Sequence, residues 1–258
     1  MTPRDRISAA IRSAAKSGDP ALVAFLTGGF PTKAGFKDLL RAVAAGADVV
    51  EIGVPFTDPM ADGVTIQRSS TVALQQGVSL TWILDELASM PKLDTPLLLM
   101  SYLNPLLSYG LEKLAAKSAQ VGVCGFIVPD LPIDESDDMR VALDAAGVAL
   151  VQMATPVTEP ARLKRICEGS QGFVYAVTMT GTTGKNVAVL EDVLTYLDRV
   201  RAAAKSPVCA GFGIRSREQV ERLSGHVDGV VVGSALIEVI ERGADVTAFL
   251  RGLRRAAR

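Results

Sequence analysis

The chain has 258 residues, with 27 Lys and Arg against 28 Asp and Glu and a formal charge of −1. That length suits one large α/β barrel or two small domains, and 48% apolar residues with a mean hydropathy of +0.28 supply a sizeable core and argue against disorder. The balanced charge provides no net field to draw the chain to nucleic acid or an anionic membrane, and no apolar run approaches the roughly 20 residues that cross a bilayer.

The first seventeen residues mix Arg4, Asp5, Arg6 and Arg12 with Ile7 and Ile11 four apart, which predicts an amphipathic N-terminal helix without the apolar core of a signal peptide. Eight short runs rich in Val, Ile, Leu and Phe follow: ALVAFLT (21–27), ADVVEIG (47–53), PLLLMSY (96–102), CGFIV (124–128), VALVQM (148–153), GFVYAV (172–177), PVCAG (207–211) and DGVVVG (228–233). Strands that are apolar almost throughout are buried on both faces, as in a parallel sheet. Segments of helical periodicity separate them, from KAGFKDLLRAVAAG to a final helical pair, with no Pro/Gly/Ser-rich linker between. Eight alternating units predict one domain over residues 1–258, a single (β/α)8 TIM barrel with an extra N-terminal helix. An open doubly wound sheet is the alternative, but no GxGxxG follows the first strand.

The cysteines Cys124, Cys167 and Cys209 are odd in number and have no CxxC spacing, which fits reduced thiols and a cytoplasmic protein. In a barrel the loops after the strands form the active face, so chemistry is sought at strand carboxyl ends. Glu51 closes the second predicted strand, and Asp62 lies in the loop that follows. Either Glu51 pairs with a structural Arg or Lys while Asp62 caps the next helix, or the two carboxylates carry chemistry. No strand interior offers a Lys or Arg, which favours chemistry and predicts a burial-raised pKa for Glu51.

Glycines recur where barrels bind phosphate: Gly181 to Gly184 after the sixth strand, Gly211-Phe212-Gly213 after the seventh, and Gly233-Ser234 opening the helix after the eighth. Each alone reads as a turn or cap; together they predict an anion site. Residues Met179 to Ala188 form either a lid or an ordinary connection, and Asn104-Pro105-Leu106-Leu107 either packs locally or forms a partner-binding edge. No strand supplies a Schiff-base Lys, and the only histidine, His226, precedes the eighth strand on the opposite face, so neither a metal site nor a Ser or Cys nucleophile with a His base is predicted. Carboxylates are left to do the work.

The segments ADVVEIGVPFTDPMADGVTIQ, YLNPLLSYG, VPDLP, QGFVYAV, TGTTG, GFGI and VVGSA, in this order over nearly the whole chain, resemble the tryptophan synthase alpha subunit family. The resemblance implies a TIM barrel that cleaves indole-3-glycerol phosphate to indole and glyceraldehyde 3-phosphate, within an α2β2 complex whose beta subunit carries pyridoxal phosphate. No cofactor is implied in this chain. By the same resemblance Glu51 is the acid/base and Asp62 binds the indole N–H. Phe25, Met100, Ile127, Tyr175, Thr183 and Phe212 line the substrate site, with Tyr102 beside it, and Gly184, Gly213, Gly233 and Ser234 cradle the phosphate. Asp58, Asn104 and Pro105 fall where the family meets its beta subunit. Val64, Thr182 and Lys185 depart from the family pattern.

Overall fold

The structure, a computed structural model, describes residues 1–16, 18–178, 190–211 and 213–254. Its eight strands are β1 (Ala21–Thr27), β2 (Val49–Gly53), β3 (Leu97–Met100), β4 (Val123–Ile127), β5 (Ala149–Ala154), β6 (Val174–Val177), β7 (Val208–Gly211) and β8 (Gly229–Val232). They are hydrogen-bonded in sequence order, all parallel, and β1 also pairs with β8, so the sheet closes into a barrel.

Around it lie α1 (Pro3–Ala15), α2 (Phe36–Ala44), α3 (Val64–Gln75), α4 (Leu80–Ala88), α5 (Leu103–Tyr109) and α6 (Leu111–Val121). The second half contributes α7 (Asp137–Ala145), α8 (Pro160–Gly169), α9 (Leu190–Ala203), α10 (Arg217–Leu223), α11 (Ser234–Glu241) and α12 (Val246–Gly252). The (β/α)8 barrel expected from the alternation is therefore present, N-terminal helix included. One difference is local: the YLNPLLSYG segment holds the short helix α5, started by the extended backbone of Tyr102 and ended by Gly110 at φ +90°. A pattern of seven residues with Pro105 near its start is too short for apolar periodicity to reveal a helix.

Strand parity divides the core in two. Alternate residues such as Val23, Val49, Leu98, Val151 and Cys209 fill the barrel interior, while Leu22, Val50, Leu99 and Leu150 pack outward against the helices. Helix α1 closes the lower end of the barrel, with Ile7 and Ile11 fully buried in the interior cluster. It is started by Thr2, whose hydroxyl accepts from the Asp5 N–H while the Asp5 carboxylate accepts from the Thr2 N–H. Its polar side is tied to later segments: Arg6 donates to the carbonyls of Leu93 and Asp94, Ser8 to that of Gly172, and Arg12 to that of Lys205. With that end occupied, the opposite, carboxyl-terminal end of the strands is where a ligand can enter.

The three cysteines are buried and unpaired. His226 sits at the lower end as expected, its Nδ1 2.7 Å from Asp198. Among the described residues no helix is long and apolar enough to cross a membrane.

Candidate active site

At the carboxyl-terminal mouth of the barrel lies a cavity of about 670 Å³, within the range of roughly 300–1,000 Å³ usual for small-molecule sites. Glu51 forms part of its floor. Register places it between Phe25 of β1 and Leu98 of β3, and its parity with Val49 turns the carboxyl inward. It is 1% exposed, has no ion pair among the described residues, and its Oε2 has no hydrogen-bond partner. Loss of hydration, reinforced by the nearby charge of Asp62, raises its pKa to about 8. The structural alternative for Glu51, a buried pair with a cation, is absent among the described residues.

Asp62 comes from the loop between β2 and α3. That loop is pinned at several points: the Asp62 N–H donates to the Pro59 carbonyl, the Gln67 side-chain amide donates to the Asp62 carbonyl, and the Ala61 N–H donates to the Tyr102 hydroxyl at 2.8 Å. The helix that follows has Gly63 at its N-cap and no side-chain cap, so Asp62 does not serve as one. Its carboxyl is 7% exposed, and burial raises its pKa to about 6 against the opposing pull of a hydrogen bond from Tyr102. Two carboxyls in one cavity thus both titrate near neutrality, a pattern that belongs to proton-transfer sites.

Tyr102 is more central than its sequence position beside the pocket suggests. The hydroxyl joins the loop after β2 to the end of β3, its ring stacks on Phe56 with centroids 5.1 Å apart, and burial raises its own pKa, so it stays a neutral donor. The signal available in the sequence was its place two residues beyond Met100, in reach of the same mouth.

Of the other residues singled out, Phe25, Met100, Tyr175, Gly213, Gly233 and Ser234 all line this cavity. Ile127 does not: it is fully buried within the barrel interior, where it sits opposite Met100 in register. Thr183, Gly184 and Phe212 lie outside the described residues, as do residues 179–188, read from the sequence as either a lid or an ordinary connection. Gly211 makes room for the pocket wall, since a Cβ there would stand 2.3 Å from the Tyr175 hydroxyl. Gly213 adopts φ +87°, a conformation that side chains other than glycine rarely take. Opposite, α11 begins at Gly233 without a side-chain cap, so first-turn N–H groups and the positive end of the helix dipole face the cavity. Such a place suits an anion.

Asp58, Asn104 and Pro105 lie outside the lining of the cavity, whereas Met60 belongs to it. Asp58 and Asn104 are exposed, Pro105 is half-buried, Leu106 is core, and Leu107, Met60 and Val64 project into solvent at 52%, 81% and 72% exposure. Within the Asn104–Leu107 segment Leu106 packs into the core and Leu107 is exposed.

Comparison with known proteins agrees with this arrangement. A family model described as "Tryptophan synthase alpha chain" matches residues 11–252. The tryptophan synthase alpha chain of Nitratidesulfovibrio vulgaris (strain DP4) is 43% identical over 248 residues, covering 95% of this chain and 96% of the relative. That of Solidesulfovibrio magneticus is 44% identical over 242 residues, covering 93% and 94%. A solved structure of Mycobacterium tuberculosis tryptophan synthase superposes with a TM-score of 0.86 at 31% identity, covering 96% of each chain. On its sequence, its barrel and the extent of these matches, the chain belongs to the tryptophan synthase alpha chain family, whose members are lyases acting on indole-3-glycerol phosphate.

Proposed function

We propose that this chain cleaves indole-3-glycerol phosphate to indole and glyceraldehyde 3-phosphate by a retro-aldol reaction run on two carboxyl groups. The observation that carries the reading is the pair Glu51 and Asp62, buried in one cavity without a cation among the described residues and titrating near pH 8 and pH 6. A carboxylic acid that holds its proton at neutral pH can give it up in the transition state and take one back.

Protonated Glu51 gives its proton to the ring carbon that bears the glycerol chain. The ring becomes a cation with its charge at nitrogen, and ionised Asp62 accepts the N–H hydrogen bond and stabilises that charge. Glu51, now a carboxylate, removes the proton of the hydroxyl on the adjacent chain carbon. The carbon–carbon bond breaks, its electron pair returns to the ring to restore aromatic indole, and the hydroxyl carbon becomes the aldehyde. Glu51 ends the cycle protonated. Tyr102 is a positioning residue that holds the Asp62 loop, and Phe25, Met100 and Tyr175 wall the ring, while Gly213, Gly233 and Ser234 receive the phosphate. Thr183, Gly184 and Phe212, outside the described residues, complete the site in this reading.

The steps draw on no cofactor in this chain; pyridoxal phosphate belongs to the beta subunit that consumes the indole. That partner docks on the face bearing Asp58, Asn104 and Pro105, where exposed Met60 and Leu107 offer apolar contact, in an α2β2 assembly in the cytoplasm. Nucleic acid and membranes have no part in it.

The test supplies indole-3-glycerol phosphate to the purified chain, with and without a tryptophan synthase beta subunit, and follows indole. Indole is released, and Glu51→Gln lowers kcat by about 10²–10⁴-fold while leaving substrate affinity largely intact. Near-native kcat in that variant overturns the assignment of Glu51.

A further inference from the structure

The loop after β7 carries a cation at the rim of the cavity. Arg215 follows Gly213 by two residues and lines the same cavity as Gly213, Gly233 and Ser234, with 49% of its side chain exposed. Its backbone is fixed where α10 starts: the Arg215 N–H donates to Gln219 Oε1 at 2.7 Å, and Ser216 caps the helix in a reciprocal pair with Gln219. Its guanidinium is fixed as well, because Nη2 donates to both carboxylate oxygens of Glu238, at 2.6 and 2.5 Å.

Glu238 determines where that guanidinium stands. It lies four residues beyond Ser234 in α11, so the two share one face of the helix, and both are half-buried while Ala235, Leu236 and Ile237 between them are buried. The Cα–Cβ bonds of a helix tilt toward its N-terminus, which directs Glu238 back toward Ser234 and the first-turn N–H groups. Arg215 is thereby held on the face of α11 that Ser234 presents to the cavity, about one turn from the uncapped end.

The way this pair is made leaves donors over. Arg68 closes a fork on Glu241, Nε to one oxygen and Nη2 to the other. Arg215 meets Glu238 through one nitrogen, and its Nε and Nη1 have no partner among the described residues. Each can give a charge-assisted hydrogen bond to an anionic oxygen. Arg162 also lines the cavity, but it stands on α8 after β5 with Asp134 as its partner, and β6 separates it from β7 and β8.

We propose that Arg215 is a substrate-binding residue for the phosphate group, that its guanidinium donates to phosphate oxygens which Gly213, Gly233 and Ser234 do not engage, and that Glu238 is the positioning residue that holds it. The assignment rests on the functional reading above, in which those three residues receive the phosphate. Backbone N–H groups offer an anion partial charges, and a guanidinium adds a full one. The phosphate takes no part in breaking the carbon–carbon bond, so this contact is the same in substrate and transition state: it lowers KM and leaves kcat unchanged.

The experiment measures binding of glycerol 3-phosphate and of indole by calorimetry, and steady-state cleavage of indole-3-glycerol phosphate, for the full chain, Arg215→Gln and Glu238→Gln. An ion pair this exposed adds little to folding, so both variants should fold. Arg215→Gln should weaken glycerol 3-phosphate and raise KM, each about tenfold, with kcat within about twofold and indole affinity unchanged. Glu238→Gln removes the charge of the pair but keeps the guanidinium and an amide oxygen to accept from it, so phosphate affinity should stay within about threefold. Equal losses of phosphate affinity in the two variants would make the pair a structural brace, and an unchanged KM in Arg215→Gln would remove the arginine from the site; either overturns the proposal. If the full chain neither cleaves indole-3-glycerol phosphate nor binds glycerol 3-phosphate, the functional reading falls and this assignment with it. If it does both and Arg215→Gln behaves identically, this assignment alone falls.

Discussion

The Asp62 carboxylate raises the cost of charging Glu51: after burial, it is the second reason that Glu51 keeps its proton to about pH 8. The mouth of the barrel therefore passes through its protonation states in order across the neutral range, Asp62 near pH 6 and Glu51 near pH 8.

Stability should therefore depend on pH in a defined direction. The folded chain holds a proton on Glu51 between its ordinary pKa of 4.5 and about 8, where the unfolded chain has lost it. Folding then weakens as pH rises through that window and levels off above it, by an amount of order a few kcal/mol. Glu51→Gln carries no titratable proton, so it should be more stable than the parent at pH 9 and similar at pH 4. Urea melts of both proteins at the two pH values measure the difference; parallel pH dependence would contradict the raised pKa.

The rate should follow a bell. The reaction as proposed needs Asp62 ionised and Glu51 protonated, so kcat/KM rises as pH passes about 6 and falls as it passes about 8. A profile flat from pH 5 to pH 9 would remove one of the two roles.

Tyr102→Phe keeps the ring that stacks on Phe56 and removes the hydroxyl that receives the Ala61 N–H and bonds Asp62. Loss of that bond takes away the influence that lowers the Asp62 pKa. The rising limb of the profile should move to higher pH, and kcat/KM at pH 7 should fall by about 10–100-fold, the scale of a lost positioning contact. A changed rate with an unmoved limb would make Tyr102 merely structural.

Gly213→Asp places a carboxylate in the cavity that the open N-terminus of α11 faces and forces a side chain onto a backbone with φ +87°. Affinity for glycerol 3-phosphate should drop by at least about tenfold through like-charge repulsion, whereas indole, which has no phosphate, should bind nearly as before. Equal losses for both ligands would point to distortion of the mouth and away from an anion cradle.

Much of this was legible in the residues themselves. Eight apolar runs alternating with helical periods define a closed barrel because parallel strands covered on both faces leave few other topologies, and Glu51 stood out because a carboxylate in such a strand is costly. Ile127 was misplaced in the pocket because strand parity tells inward from outward but not how deep within the barrel a side chain sits. Helix α5 was hidden by its brevity. The hydroxyl of Tyr102 gains its meaning only when the loop after β2 folds back across β3.

Helix α1 and strand β1 are both completed by segments far along the chain. Helix α1 is held by carbonyls as distant as those of Gly172 and Lys205, and β1 has one neighbour, β8, that ends at Val232. During synthesis one edge of β1 must therefore wait, uncovered, until β8 has left the ribosome. Removing β8 would open the ring and expose that edge of β1.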